Sequence, residues 1–389
     1  MPIVILQNIK IYNMVLLSGP NIKGNEWKYV KDCLDTGWVS SVGSYVTDFE
    51  KQISKYVGSK YAVATSSGTT ALHLSLLLSE VKNNDLVLVT NVTFIATLNA
   101  IKYVGASPIL IDIDENSWQI DLDLLADFLD SKTEIRGDVC VLKSNGKRIK
   151  AIVPVHVLGN MCDMNKLALI CKKYNISIVE DAAESLGSSF EGKHSGTFGE
   201  LGCFSFNGNK IITSGGGGMI VTDNEDLAIR AKHLSTQAKA DNFEYFHDTI
   251  GYNYRLTNVA AAIGLAQLEQ LDNFIQKKQF VKDFYIDSLK GLGDIKFQTV
   301  DENVNSNWWL FTIKTKNQKN LLKSLNENKL QSRPFWIPMN KLPMFKNELY
   351  ISVKDISDKV YSNSLSIPCS TNISEKELSM VVNCIKKQF

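Results

Sequence analysis

The sequence predicts an α/β protein: a large domain with a central, mostly parallel sheet flanked by helices, and a small C-terminal α+β domain. From Tyr61 onward, short apolar runs alternate with amphipathic stretches, the pattern of a parallel sheet covered by helices on both faces. At 389 residues the chain exceeds what one small core usually organises. Beyond Leu271–Lys277 the pattern changes to a few strands and helices without regular alternation, so the domain change is expected there. The expected division is an arm over 1–25, a large domain over 26–271 and a small one over 272–389.

Composition narrows the class. The net charge is +1 with acids and bases interspersed, which gives no footprint for nucleic acid or an anionic membrane. No apolar run approaches the roughly 20 residues of a spanning helix. Seven scattered cysteines without CxxC pairs read as reduced thiols in a cytoplasmic protein. Five widely spaced histidines, without HExxH, predict no metal. Met1–Val15 is apolar but lacks a basic start and a small-residue cleavage site, so it is not read as a signal peptide, and Met14 is a possible alternative start.

Taken in order, Glu26–Leu34 and Asp48–Val57 carry apolar residues at helical spacing before Gly37 and Gly58. Thr36–Tyr45 between them is a polar loop. Strands are predicted at Tyr61–Ala64, Leu86–Val89, Ile109–Ile113, Ala151–Val155, Ser177–Glu180, Cys203–Phe206 and Met219–Val221. Helices are predicted at Phe94–Val104, Leu122–Leu129, Asn165–Tyr174, Asn224–Leu234 and from Thr257 onward. Val139–Leu142 and Arg148–Ile152 flank Ser144-Asn145-Gly146 and read as a hairpin in a surface insertion. The C-terminal part offers a strand at Trp308–Thr315 and helices at Lys319–Asn328 and Glu375–Lys387.

Three stretches carry chemistry. Between the strands at 203–206 and 219–221 lies a polar turn with Lys210 and four glycines, 215–218. A lysine partly desolvated there shifts toward the neutral, nucleophilic amine that a Schiff base needs, although a solvated lysine in a glycine-rich hairpin has the same pattern. Asp181 ends a buried strand, where ligands of open sheets bind and where a carboxylate can pair with a pyridinium; capping the next helix is the plainer role. Thr65–Leu72 (TSSGTTAL) reads as strand, turn and helix N-terminus, a phosphate site. Phe94 falls at the same sheet edge, as a cofactor cover or as core.

With SGTTALHL, TFIATLNAI, VEDAAESLGS, CFSFNGNKIITSGGGG, GYNYRLTNVAAAIG and RPFWIP in this order, the chain resembles the DegT/DnrJ/EryC1/StrS sugar aminotransferases, pyridoxal 5'-phosphate (PLP) enzymes of fold type I. The resemblance runs from about Ser18 to the end. It implies that Lys210 is the Schiff-base lysine and Asp181 the partner of the pyridine nitrogen. It further implies that Gly68, Thr69 and Ser205 hold the phosphate, that Phe94 stacks on the ring, that Glu184 joins the cofactor site, and that Asn253 reaches the cofactor phosphate of a neighbouring subunit. Trp38, Lys193, Arg333 and Trp336 are the candidate substrate contacts. Family members often have PLH after the RPFW stretch, where this chain has Pro338-Met339-Asn340.

The function implied is PLP-dependent transfer of an amino group from glutamate to C4 of a nucleotide-linked 4-keto-6-deoxy sugar, for surface polysaccharide or glycan synthesis, in a cytoplasmic homodimer with shared active sites. A UDP-linked 2-acetamido sugar is the expected substrate. A GDP-perosamine synthase-type or dTDP-3-keto sugar reaction is the alternative, and a PLP-binding regulatory protein is the alternative outside enzymes. The absence of GxxxxGK[ST] and of a GxGxxG opening a helix disfavours nucleotide-dependent oxidoreductases.

Overall fold

The computed structural model describes residues 14–241 and 243–389, so the expectation for Met1–Val15 falls almost wholly outside the described residues. Its centre is an eight-stranded sheet. The strands, in spatial order, are Tyr61–Thr65, Gly218–Thr222, Leu201–Ser205, Ser177–Asp181, Ile149–Val153, Leu86–Thr90, Ser107–Ile111 and Leu349–Ile351. Gly218–Thr222 runs antiparallel to both neighbours and every other pairing is parallel. The sheet is therefore mostly parallel, as the alternation predicts.

Both faces are buried. Val87 and Val89 point to the side covered by helices Gly68–Leu78, Ala96–Tyr103 and Glu225–Ser235, while Leu86 and Leu88 point to the side covered by Leu122–Lys132 and Met164–Tyr174. Burial on both faces explains why the strands read as continuous apolar runs rather than alternating ones. Their parallel course has a second consequence. The carboxyl ends of Tyr61–Thr65, Leu86–Thr90, Ser177–Asp181 and Leu201–Ser205 all reach one edge, where open α/β sheets bind ligands.

The expected domain change falls in the first two turns of helix Leu271–Leu289. Beyond it, Lys296–Phe297, Phe311–Lys314, Ser364–Ile367 and Arg333–Pro334 form an antiparallel sheet, in that order. Leu321, Leu325, Leu378, Val381 and Ile385 from helices Gln318–Glu327 and Glu375–Lys386 belong to the same core cluster as Phe311, Ile313 and Leu365 of that sheet. Two details differ from the sequence expectation. Within 131–150, Thr133–Arg136 pairs with Val139–Leu142 across Gly137 (φ 61°), a hairpin not expected; the expected one is present in short form, Val141 bridging Arg148 antiparallel and Leu142 N donating to Lys147 O around Asn145-Gly146, but its second arm runs on into Ile149–Val153, a strand of the central sheet rather than of a surface insertion. Leu349–Ile351, far along the C-terminal part, returns to pair with Ser107–Ile111 of the central sheet.

No helix among the described residues is long and apolar enough to cross a membrane.

Candidate active site

At the carboxyl edge of the sheet lies a cavity of roughly 500 Å³ whose lining includes Gly68, Thr69, Phe94, Thr97, Asp181, Glu184, Ser205, Lys210, Trp309, Arg333 and Trp336. Nine of the twelve candidate residues meet here, brought from strands, turns and the small sheet. Each part has a local cause.

The first wall is the start of helix Gly68–Leu78. Ser67 caps it, its hydroxyl accepting from Thr70 N while the Thr70 hydroxyl accepts from Ser67 N, a reciprocal box contributing about 1 kcal/mol. The N–H groups of Gly68 and Thr69 have no acceptor within the helix. The turn is tied down by Ser66 N donating to Tyr254 O at 2.7 Å. Backbone approach is close: a Cβ on Gly68 would lie 2.8 Å from Ser205 Cβ, and one on Gly218 would lie 2.4 Å from Ser67 O. Glycine is needed at both positions for lack of room, independently of φ.

The second wall is acidic and buried. Asp181 Oδ2 accepts from the Thr97 hydroxyl at 2.6 Å and Oδ1 from Ala183 N at 3.2 Å. Burial nevertheless raises its pKa, with Thr97, Ala183 and Lys210 opposing the rise. Glu184 Oε2 accepts from Leu158 N at 2.9 Å, and burial pushes its carboxyl up to about 7 against the pull of Lys210. Glu180, one residue before Asp181, behaves oppositely. Burial raises it, but His156 and the N–H groups of Gly199 and Gly196 together hold it below the usual range. A carboxylate so fully bonded is structural, and Asp181 and Glu184 are the two left short of positive charge.

The amine completes the set. Lys210 Nζ lies 3.6 Å from Glu184 Oε1 and 3.9 Å from the centre of the Trp309 ring. The indole Nε1 donates to Asn209 O at 2.7 Å, which fixes the ring beside the lysine's own backbone. Trp309 follows Trp308, whose φ of 51° costs about 1–3 kcal/mol for a bulky residue and persists only where neighbours hold it. Asn307 supplies such holds: its Oδ1 accepts from Trp309 N, and its Nδ2 donates to the carbonyls of Glu184 and Leu186.

This donor set fits a flat ring with a cationic nitrogen and a phosphate. Buried carboxylates offer charge for the ring, Phe94 at 58 % exposure lies open at the cavity rather than in the core, and free first-turn N–H groups with Ser205 offer phosphate contacts. Three candidates lie outside the cavity of the single chain. Trp38 is 56 % exposed, in the loop after the first helix, with its carbonyl bonded by Asn258 Nδ2. Lys193 is exposed because the strand Lys193–His194 pairs with Ser189–Phe190 and carries its amine over the Phe198 ring. Asn253 is exposed at a bridge to Thr236. Sequence reasoning missed Thr97 and Trp309. Thr97 was accessible through the TFIATLNAI stretch, whereas nothing local distinguishes Trp309 from Trp308.

Residues 20–386 match the profile of the DegT/DnrJ/EryC1/StrS aminotransferase family. The GDP-perosamine synthase of Escherichia coli O157:H7 is 36% identical over 373 residues, covering 95% of this chain and 97% of that protein. The UDP-4-amino-4,6-dideoxy-N-acetyl-beta-L-altrosamine transaminase of Campylobacter jejuni is 31% identical over 376 residues, covering 91% of each. Among solved structures, Helicobacter pylori PseC, an aminotransferase involved in the biosynthesis of pseudoaminic acid, superposes with a TM-score of 0.87 at 24% identity, covering 97% of this chain and 99% of that one.

Proposed function

The chain belongs to the DegT/DnrJ/EryC1/StrS aminotransferase family and is a PLP-dependent nucleotide-sugar aminotransferase, and from that premise we propose that it aminates C4 of a nucleotide-linked 4-keto-6-deoxy sugar, with glutamate as donor. The observation that carries the reading is the meeting of Lys210, Asp181 and Glu184 in one cavity beside the helix start at Gly68.

The chemistry supplied by bound PLP is an electron sink for the pair left when a carbon bearing the amino group loses its proton. The residues of the chain do the rest. Lys210 would hold the cofactor, and its Nζ would take the Cα proton of the amino donor and give a proton to the sugar carbon. Asp181, fixed by Thr97 and Ala183, holds the ring nitrogen protonated by charge. Gly68, Thr69 and Ser205 bind the phosphate, and Phe94 covers the ring. Glu184 sits against the lysine, its own carboxyl pushed up to about 7 by burial. Arg333 and Trp336, on and beside the edge strand of the small sheet, take the nucleotide diphosphate and base. Asn253 completes the phosphate site of a second copy, in a cytoplasmic homodimer. Its exposure outside its own chain's cavity supports that role.

For the sugar, a UDP-linked 2-acetamido-4-keto substrate is the first reading, and the Campylobacter relative, named for a 4-amino-4,6-dideoxy sugar, supports it. A GDP-linked 4-keto sugar is the second, favoured by the higher identity to a GDP-perosamine synthase. The test offers glutamate with the UDP-2-acetamido-4-keto, GDP-4-keto and dTDP-3-keto sugars separately and follows 2-oxoglutarate. Fastest turnover is expected with the UDP sugar. Preference for the GDP sugar replaces the first reading by the second, and preference for the 3-keto sugar overturns C4 itself.

A further inference from the structure

Lys278 lies in helix Leu271–Leu289 and is 2 % exposed. Its Nζ donates to the carbonyls of Trp309 and Cys369, both at 2.7 Å, and Cys369 Sγ lies 3.6 Å away. Among the described residues its polar partners include no carboxylate. Burial pushes the amine below the usual lysine range, with Cys369 pulling the other way. An ammonium buried on neutral partners is expensive, and a methionine would fill the same space without that cost.

What the amine holds explains its presence. The Trp309 carbonyl follows the strained Trp308, and Trp309's indole is the ring over Lys210. Asn307 fixes the nitrogen of Trp309, Asn209 fixes its indole, and Lys278 fixes its carbonyl. We infer that Lys278 is a positioning residue for the reactive amine: it locks the Trp309 main chain and thereby holds the indole against Lys210 Nζ. The inference rests on the reading of Lys210 as the reactive lysine. Lys278 does not line the cavity and acts only through Trp309.

The ring's negative face attracts an ammonium beneath it, so the labelling midpoint of Lys210 is the readout that a displaced ring is expected to move. The groups facing that amine are Glu184, Asp181 and Trp309, and only the last is bonded to Lys278. The experiment is competitive acetylation of the full-length, cofactor-free protein with trace acetic anhydride across pH, reading the Lys210 peptide by mass spectrometry. Trp309→Leu and Lys278→Met are each expected to lower the labelling midpoint by about 0.5 pH unit, roughly threefold in reactivity at neutral pH. The double variant is expected to match Trp309→Leu alone, because the two act in series. An unchanged midpoint in a folded Lys278→Met protein, or a double variant shifted by the sum, overturns the inference. Should the Met variant not fold, Lys278→Gln decides: it keeps N–H donors on a side chain one atom shorter, so a smaller downward shift is expected and none overturns it. Borohydride reduction of cofactor-loaded wild type separates the two readings. Cofactor fixed to another lysine sinks the assignment of Lys210 while leaving the Lys278–Trp309 coupling testable.

Discussion

Glu184 shows at the scale of a residue how the site stores charge. Its folded pKa, about 7, lies above its ordinary value of 4.5, so the folded cofactor-free protein holds a proton that the unfolded chain releases. Below pH 4.5 both states are protonated and the residue is neutral for stability. As the pH rises toward 7 the unfolded state ionises first, and the cost grows to roughly 3 kcal/mol. Glu184→Gln removes that cost. In cofactor-free protein, urea unfolding should find the variant more stable than wild type at pH 7.5 and little changed at pH 4.5. A difference of the same size at both pH values would show that Glu184 does not carry the proton. The same balance explains why sequence alone left Asp181 between cap and cofactor partner. Its carboxylate does bond Ala183 N, as a cap would, but the raised pKa comes from burial, which no local pattern reports.

At the scale of an element, the phosphate turn depends on close contact between two strand ends. A methyl group at Gly68 meets Ser205 Cβ at 2.8 Å, so Gly68→Ala must displace the helix start from the strand carrying Ser205. It should weaken PLP binding by about tenfold, close to 1.4 kcal/mol, in an absorbance titration. Gly208→Ala, whose Cβ meets nothing within 4 Å, should bind normally. Equal affinities in the two variants would remove the phosphate from this turn. Most of these elements were legible because burial on both faces of the sheet writes apolar runs into the chain. Thr133–Arg136 was not, being a polar run closed by Gly137, and Leu349–Ile351 was not, being three residues paired with a strand some 240 positions earlier. The holds on Trp309 were equally hidden. Lys278 follows the expected domain change, where no element is read from the sequence, and its acceptors lie 31 and 91 positions away.

At the scale of the molecule, one chain assembles nine of the twelve candidate residues and leaves Asn253, Trp38 and Lys193 on its exterior. If Asn253 serves a second copy, Asn253→Ala and Lys210→Ala proteins, each inactive alone, should recover activity after subunit exchange. Random pairing puts both losses in one site of each mixed dimer, which predicts roughly a quarter of wild-type turnover. Exchange without recovery would confine the site to one chain. The whole account turns on Lys210, set between a carboxyl poised near neutrality and an indole locked from behind. Reducing the cofactor-loaded protein with borohydride and mapping its peptides tests this most directly. The account predicts a pyridoxyl mass on the Lys210 peptide alone, lost when glutamate is added before the reductant, whereas an adduct on another lysine, or one indifferent to glutamate, would contradict it.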